Sequence, residues 1–89
     1  MPPKKLRFRV RERKLGRENA LGLAWQGTGL IELDPRLSPK KRLEVLLHEG
    51  LHHIFQDKSE QEINEAGELL AGLLWRQDYR RVYAEKMPA

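Results

Sequence analysis

His48, Glu49 and His52 are the residues of this 89-residue chain whose types and spacing could do chemistry. They belong to the run His48-Glu49-Gly50-Leu51-His52, an H-E-x-x-H pattern. On a helix, residues four apart share a face, so two imidazoles at this spacing can meet one metal ion. Glu49 projects beside the first imidazole, where its carboxylate can take a proton from a water acidified by that metal. The chemistry implied is hydrolysis, with Glu49 as general base. A plainer account makes His48 and Glu49 a surface ion pair and His52 a packing residue. Composition weighs against it: the three histidines of the chain, His48, His52 and His53, all fall in this stretch, and a glutamate-rich segment follows at once. His53 is about 100° around a helix from His52. It therefore cannot share the same metal from the same face, and it is assigned a flanking or outer supporting place.

The pattern has this meaning only on a helix, so the elements that would position it come next. Leu43, Val45, Leu46 and Leu47 before the motif, and Ile54 and Phe55 after it, are good material for a buried helix. Ser38 followed by Pro39 supplies a hydroxyl cap and a proline at the first helical position, which predicts a helix start there. Leu43, Leu46, Leu47, Gly50 and Ile54 form its apolar stripe, with His48 and His52 roughly opposite, and the small Gly50 suits close packing. Ser59-Glu60-Gln61-Glu62 fits a capping box. The second helix it opens carries Ile63, Ala66, Gly67, Leu70, Leu73 and Leu74 and runs to about residue 77; the short connection makes the two helices antiparallel neighbours.

Upstream, residues 6–11 read as a strand with Leu6, Phe8 and Val10 on the core face and Arg7, Arg9 and Arg11 on a solvated one. Residues 12–19 are charged and lack apolar periodicity, which predicts a turn. Residues 20–26 alternate Leu21, Leu23 and Trp25 with smaller residues, Gly27-Thr28-Gly29 breaks the run, and residues 30–33 resume it, which predicts a hairpin. The fold class expected is α+β: a small, mostly antiparallel three-stranded sheet packed against the H-E-x-x-H helix and a second, antiparallel helix. One domain spans residues 1–89, with residues 1–5 and 84–89 expected to fray.

Composition narrows the chemistry. The chain has no cysteine, so thiolate ligands and disulfides are excluded and any metal must use imidazole, carboxylate and water. No apolar run approaches a membrane span, and the basic N-terminus lacks the apolar core of a signal peptide, so a cytoplasmic protein without a membrane partner is expected. The net charge is +4, and it is concentrated early, with eight Lys/Arg and one Glu in residues 1–17. Such an arm can draw nucleic acid or another polyanion, or can be the solvated face of the first strand.

A catalytic zinc takes three protein ligands, so the second helix must supply a carboxylate. Glu65 and Glu68 point to solvent on the helical wheel, while Glu60 and Glu62 flank the buried stripe. Glu62 already has work in the capping box, and Asn64, four residues after Glu60, could support a ligand histidine from outside. Glu60 is preferred as the third ligand and Glu62 is kept as the alternative.

With HEGLH on one helix, a glutamate on the next and a sheet before them, residues 30–82 resemble the gluzincin metallopeptidases in minimal form. The runs Ile31-Glu32-Leu33-Asp34-Pro35-Arg36, Leu74-Trp75-Arg76 and Tyr79-Arg80-Arg81 are similar to small zincin-like proteins of phages and bacteria. The resemblance implies a zinc peptidase acting on a peptide or protein, with Asn64 as the amide counterpart of an acidic residue that steadies a ligand histidine. Larger members stabilise the transition state with a histidine or tyrosine from a further domain. Tyr79, Tyr83 and the C-terminal arginines are this chain's candidates for that work. Two alternatives stand beside the peptidase: a metal-dependent amidase of a non-protein substrate, and a zinc-stabilised binding module that engages nucleic acid through the basic arm.

Overall fold

The computed structural model describes residues 6–82, so the expected frayed ends at 1–5 and 84–89, and Tyr83, lie outside the described residues. Its elements are strands β1 (Arg9–Glu12), β2 (Gly22–Trp25) and β3 (Leu30–Leu33), then helices α1 (Pro39–Ile54) and α2 (Glu60–Arg76). The α+β architecture is the expected one, a three-stranded sheet with two helices. β2 and β3 form the antiparallel hairpin, with Ala24 opposite Ile31. Its turn closes through the Thr28 N–H to the Trp25 carbonyl at 3.2 Å. Gly27 sits at the third position of that turn with φ 81°, which side chains other than glycine rarely tolerate. The other pairing, β1 with β3, is parallel, so the order across the sheet is β1-β3-β2 and β2 is an edge.

The chain reaches β2 from β1 through a segment whose sequence predicts only a turn. Leu15 is fully buried there, its N–H donating to the Asp34 carboxylate at 3.0 Å, and a short 3-10 turn follows at Gly16–Glu18. One buried leucine in a charged segment leaves no periodic signal, which is why the sequence did not reveal the anchor.

α1 is the central layer, with the sheet on one side and α2 on the other. The core is Ile31, Leu33 and Val45, with Leu37 and Leu46 packed around it. Burying aliphatic side chains of this kind stabilises a fold by about 1.5–3 kcal/mol each. Because α1 packs over β2 and β3, the inner face of β1 is left open: Phe8 and Val10 lie beside Leu46 and Gly50, as alternation predicts, yet stay nearly half exposed. The side of α1 that meets the sheet is centred on Val45 and His53, which the apolar stripe did not include. Nor is Gly50 the point of closest approach. A Cβ there would meet only Ile31 Cδ1, at 4.0 Å, whereas one at Gly22 would stand 2.5 Å from Val45 Cγ1. The bare backbone of Gly22 is what lets edge strand β2 lie against the motif helix.

Both helix starts follow their local chemistry. The Ser38 hydroxyl accepts from the Lys41 N–H with Pro39 at the first position, and Ser59 and Glu62 form the reciprocal capping box. α2 buries Ile63, Gly67 and Ala71, four residues apart, and a Cβ on Gly67 would lie 3.5 Å from His48 Cα. Small residues thus bring α2 close to α1 at the level of the motif.

Candidate metal centre

Helical spacing places His48 and His52 on one face of α1, and the approach of α2 brings its first residue to the same place. The two Nε2 atoms lie 3.2 Å apart. Glu60 straddles them, with Oε1 2.6 Å from His48 Nε2 and Oε2 3.1 Å from His52 Nε2. All three ligand atoms fall within 4.8 Å of one another. Two imidazole nitrogens at about 2.0–2.1 Å from a tetrahedral ion would be roughly 3.3–3.4 Å apart. The observed N–N separation of 3.2 Å fits that donor set, whereas Glu60 Oε1, 2.6 Å from His48 Nε2, is at hydrogen-bond distance and must draw back to share an ion with it. The group is a surface one: the imidazoles are mostly covered, while the Glu60 side chain is 72 % exposed. Its opening to solvent leaves room for a further ligand or a substrate.

Glu49 is half-buried between α1 and β2, with its Cγ near the backbone of Gly22. Burial pushes its carboxyl above the usual carboxylate range; the nearby charge of Glu60 acts in the same sense, and His48 and His52 oppose it. A cavity of about 270 Å³ opens beside it, lined among others by Leu21 and Gly22 of the edge, His48 and Glu49 of α1, and Asn64 and Glu68 of α2.

The remaining candidates have other partners. Glu62 is held by the Ser59 N–H and hydroxyl, which keep its carboxyl below its ordinary range, and it stays in the capping box. The Asn64 amide donates to Glu68 at 3.0 Å and borders the cavity; its hydrogen bond does not go to an imidazole. His53 is fully buried on the opposite side of α1, with Nε2 3.0 Å from the Leu30 carbonyl and its ring edge-on to Phe8, so it ties the helix to the sheet and does not touch the His48–His52–Glu60 group. Tyr79, Arg80 and Arg81 lie against the N-terminal half of α1, around Arg42 and Leu43. Arg80 stacks 3.8 Å over the Trp75 ring and donates to the Trp75 carbonyl, capping α2. These side chains do not line the cavity beside His48. No protein-family model matches this chain, and no curated protein or solved structure matches it either.

The residues the sequence missed are Ala20, Leu21 and Gly22, which form the wall facing His48 and Glu49. The signal was present in the small residues alternating with Leu21, Leu23 and Trp25: Gly22 and Ala24 are the ones that face the helix.

Proposed function

We propose that this chain is a cytoplasmic zinc-dependent peptidase in which His48, His52 and Glu60 hold the metal and Glu49 is the general base. The observation that carries the reading is the meeting of two α1 imidazoles and one α2 carboxylate within 4.8 Å, one residue from a half-buried glutamate. Two nitrogens and one oxygen, with no thiolate in the chain, form a donor set used by catalytic zinc. When bound, zinc supplies Lewis-acid polarisation of a carbonyl and makes water acidic enough to attack near neutral pH. Glu49 takes the proton from the attacking water on its carboxylate and returns it to the departing amine, a task suited to a carboxyl whose affinity for protons burial has raised.

Edge strand β2 supports a peptide as the substrate. In the antiparallel alternation, the Asp34 N–H to Leu21 carbonyl bond directs the backbone groups of Leu21 and Leu23 inward. Those of Gly22 and Ala24 then face outward, beside the cavity, and can pair with an extended chain laid along the edge. A peptide held there passes His48 and Glu49.

The test is cleavage of a mixed peptide library by zinc-loaded protein. Wild type should produce new termini, and Glu49→Gln should lower turnover at least about 100-fold while elemental analysis still finds the metal. Zinc held by the wild type without any peptide cleavage would leave a zinc-stabilised binding module instead.

A further inference from the structure

The face of the sheet turned away from α1 is covered by neither helix, and it has an ordered set of side chains that the peptidase reading does not use. Cross-strand register puts Arg9, Leu30 and Trp25 in one row and Arg11, Glu32 and Leu23 in the next. At the centre is Glu32, with none of its side chain exposed although it points to the solvent side. It is hidden by what it binds. Arg11 donates to it at 2.7 and 2.9 Å, Arg13 at 2.9 and 3.0 Å, and the Trp25 indole N–H at 2.9 Å. These bonds, led by those from Arg13, hold its carboxyl down at about 2.

A carboxylate under such a thin cover is an expensive way to fill the middle of a strand, since its desolvation must be offset by bonds in good geometry. What it achieves is to fix two guanidinium planes and an indole side by side on an open face, with Arg11 61 % exposed and Trp25 47 % exposed. The charge around this platform is positive. Arg7, Arg9, Lys14 and Arg17 are exposed and make no ion pair among the described residues, so their charge is available to a partner.

We propose that this face binds single-stranded nucleic acid, with a base stacked on Trp25 and phosphates held by Arg7 and Arg9. An anchored aromatic ring beside unpaired arginines is what an unpaired strand requires: a π-face for the base and cations tracking the backbone. A folded acidic peptide would use the cations but leave the ring unused. The platform is formed by the outward side chains of β1 and β2, whereas the proposed peptide site uses the edge backbone of β2 and the opposite side of the sheet, so the two readings stand or fall separately.

The experiment is fluorescence anisotropy of a labelled twelve-residue oligothymidylate with the full chain at 50 and 200 mM NaCl. Binding should weaken with salt, and Arg7→Gln with Arg9→Gln should flatten the log–log salt slope by roughly 1.4, about 0.7 for each phosphate no longer neutralised. Trp25→Ala should weaken binding at least about fivefold. Because that variant also removes a cover from Glu32, a second measurement leaves Trp25 in place: in Trp75→Phe, where Trp25 is the one remaining tryptophan, the oligonucleotide should quench its fluorescence. No binding at 50 mM NaCl overturns the proposal. So does equal binding of inorganic polyphosphate with no quenching of Trp25, which would mean attraction by charge alone, and so does tighter binding of polyglutamate.

Discussion

Glu60 and Glu62 are two residues apart in the first turn of one helix and do different jobs. Ser59 encloses Glu62 from both its hydroxyl and its N–H, whereas Glu60 is mostly exposed and reaches across to two imidazoles of another helix. Replacing Glu60 by Gln removes the charge that faces the ion and should weaken zinc binding by more than about 100-fold, beyond the loss typical of groups outside the ligand shell. Glu62→Gln should change affinity little, because glutamine completes a capping box as well. Competition titration against a chromophoric chelator reads both constants. The reverse pattern, with Glu62→Gln losing the metal and Glu60→Gln keeping it, would put the carboxylate ligand on the wrong residue. The meeting of His48 and His52 was legible in sequence because i, i+4 spacing is a property of any helix. The approach of Glu60 was legible only as one of two choices, since it depends on where α2 crosses α1, and that is set by the small residues Gly67 and Ala71 rather than by any feature of Glu60 itself.

At the scale of elements, caps and the hairpin were readable because their signals are local: Ser-Pro, Ser-x-x-Glu and Gly-Thr-Gly each constrain the backbone within four residues. The parallel partner of β1 and the anchoring of Leu15 were not, since both arise from contacts between residues far apart in the chain. Gly22 shows how closely two elements meet. Gly22→Ala would put a Cβ 2.5 Å from Val45 Cγ1 and 3.1 Å from Glu49 Cγ, and overpacking of this kind costs about 1–3 kcal/mol. Gly50→Ala meets no such obstacle and should stabilise α1 by up to about 1 kcal/mol through helix propensity. Thermal unfolding of the two variants should therefore shift in opposite directions; equal shifts would mean that β2 does not lie against α1 as described. The sheet also predicts an acid response. Glu32 has its pKa lowered from 4.5 to about 2, chiefly by hydrogen bonds from Arg13. A lowered folded value means that the stabilisation is fully present above pH 4.5 and is lost as pH falls toward 2. Asp34 is held lower still, by Arg36 and by the Leu15 N–H, and extends the loss in the same direction. Stability measured by urea unfolding should fall through that window in wild type, and less steeply in Glu32→Gln. An identical slope in the two would remove Glu32 from the account.

Over the whole molecule, α2 is attached to the rest through α1 alone. It packs on α1 and not on the sheet; of the three residues it buries fully, Ile63, Gly67 and Ala71, two offer little apolar area. No helix among the described residues is long and apolar enough to cross a membrane. A polar link is added at its first turn, where Glu60 meets His48 and His52. A metal held by those three residues would join the first turn of α2 to the last turns of α1, and its binding energy would add to the folding of both. For free zinc at about 100 times its dissociation constant, the gain is about 2.7 kcal/mol. In a domain of this size each kcal/mol moves the melting temperature by about 4–8 °C, so chelation should lower it by more than about 10 °C. The loss should also be uneven. Amide hydrogen exchange should quicken most along α2, while β3 and the middle of α1, which share the core of Ile31, Leu33 and Val45, keep their protection. His52→Ala, which cannot complete the site, should melt at the same temperature with and without chelator. An unchanged wild-type melting curve after the metal is shown to be gone would mean that the three side chains lie together without holding the helices, and that packing on α1 alone secures α2.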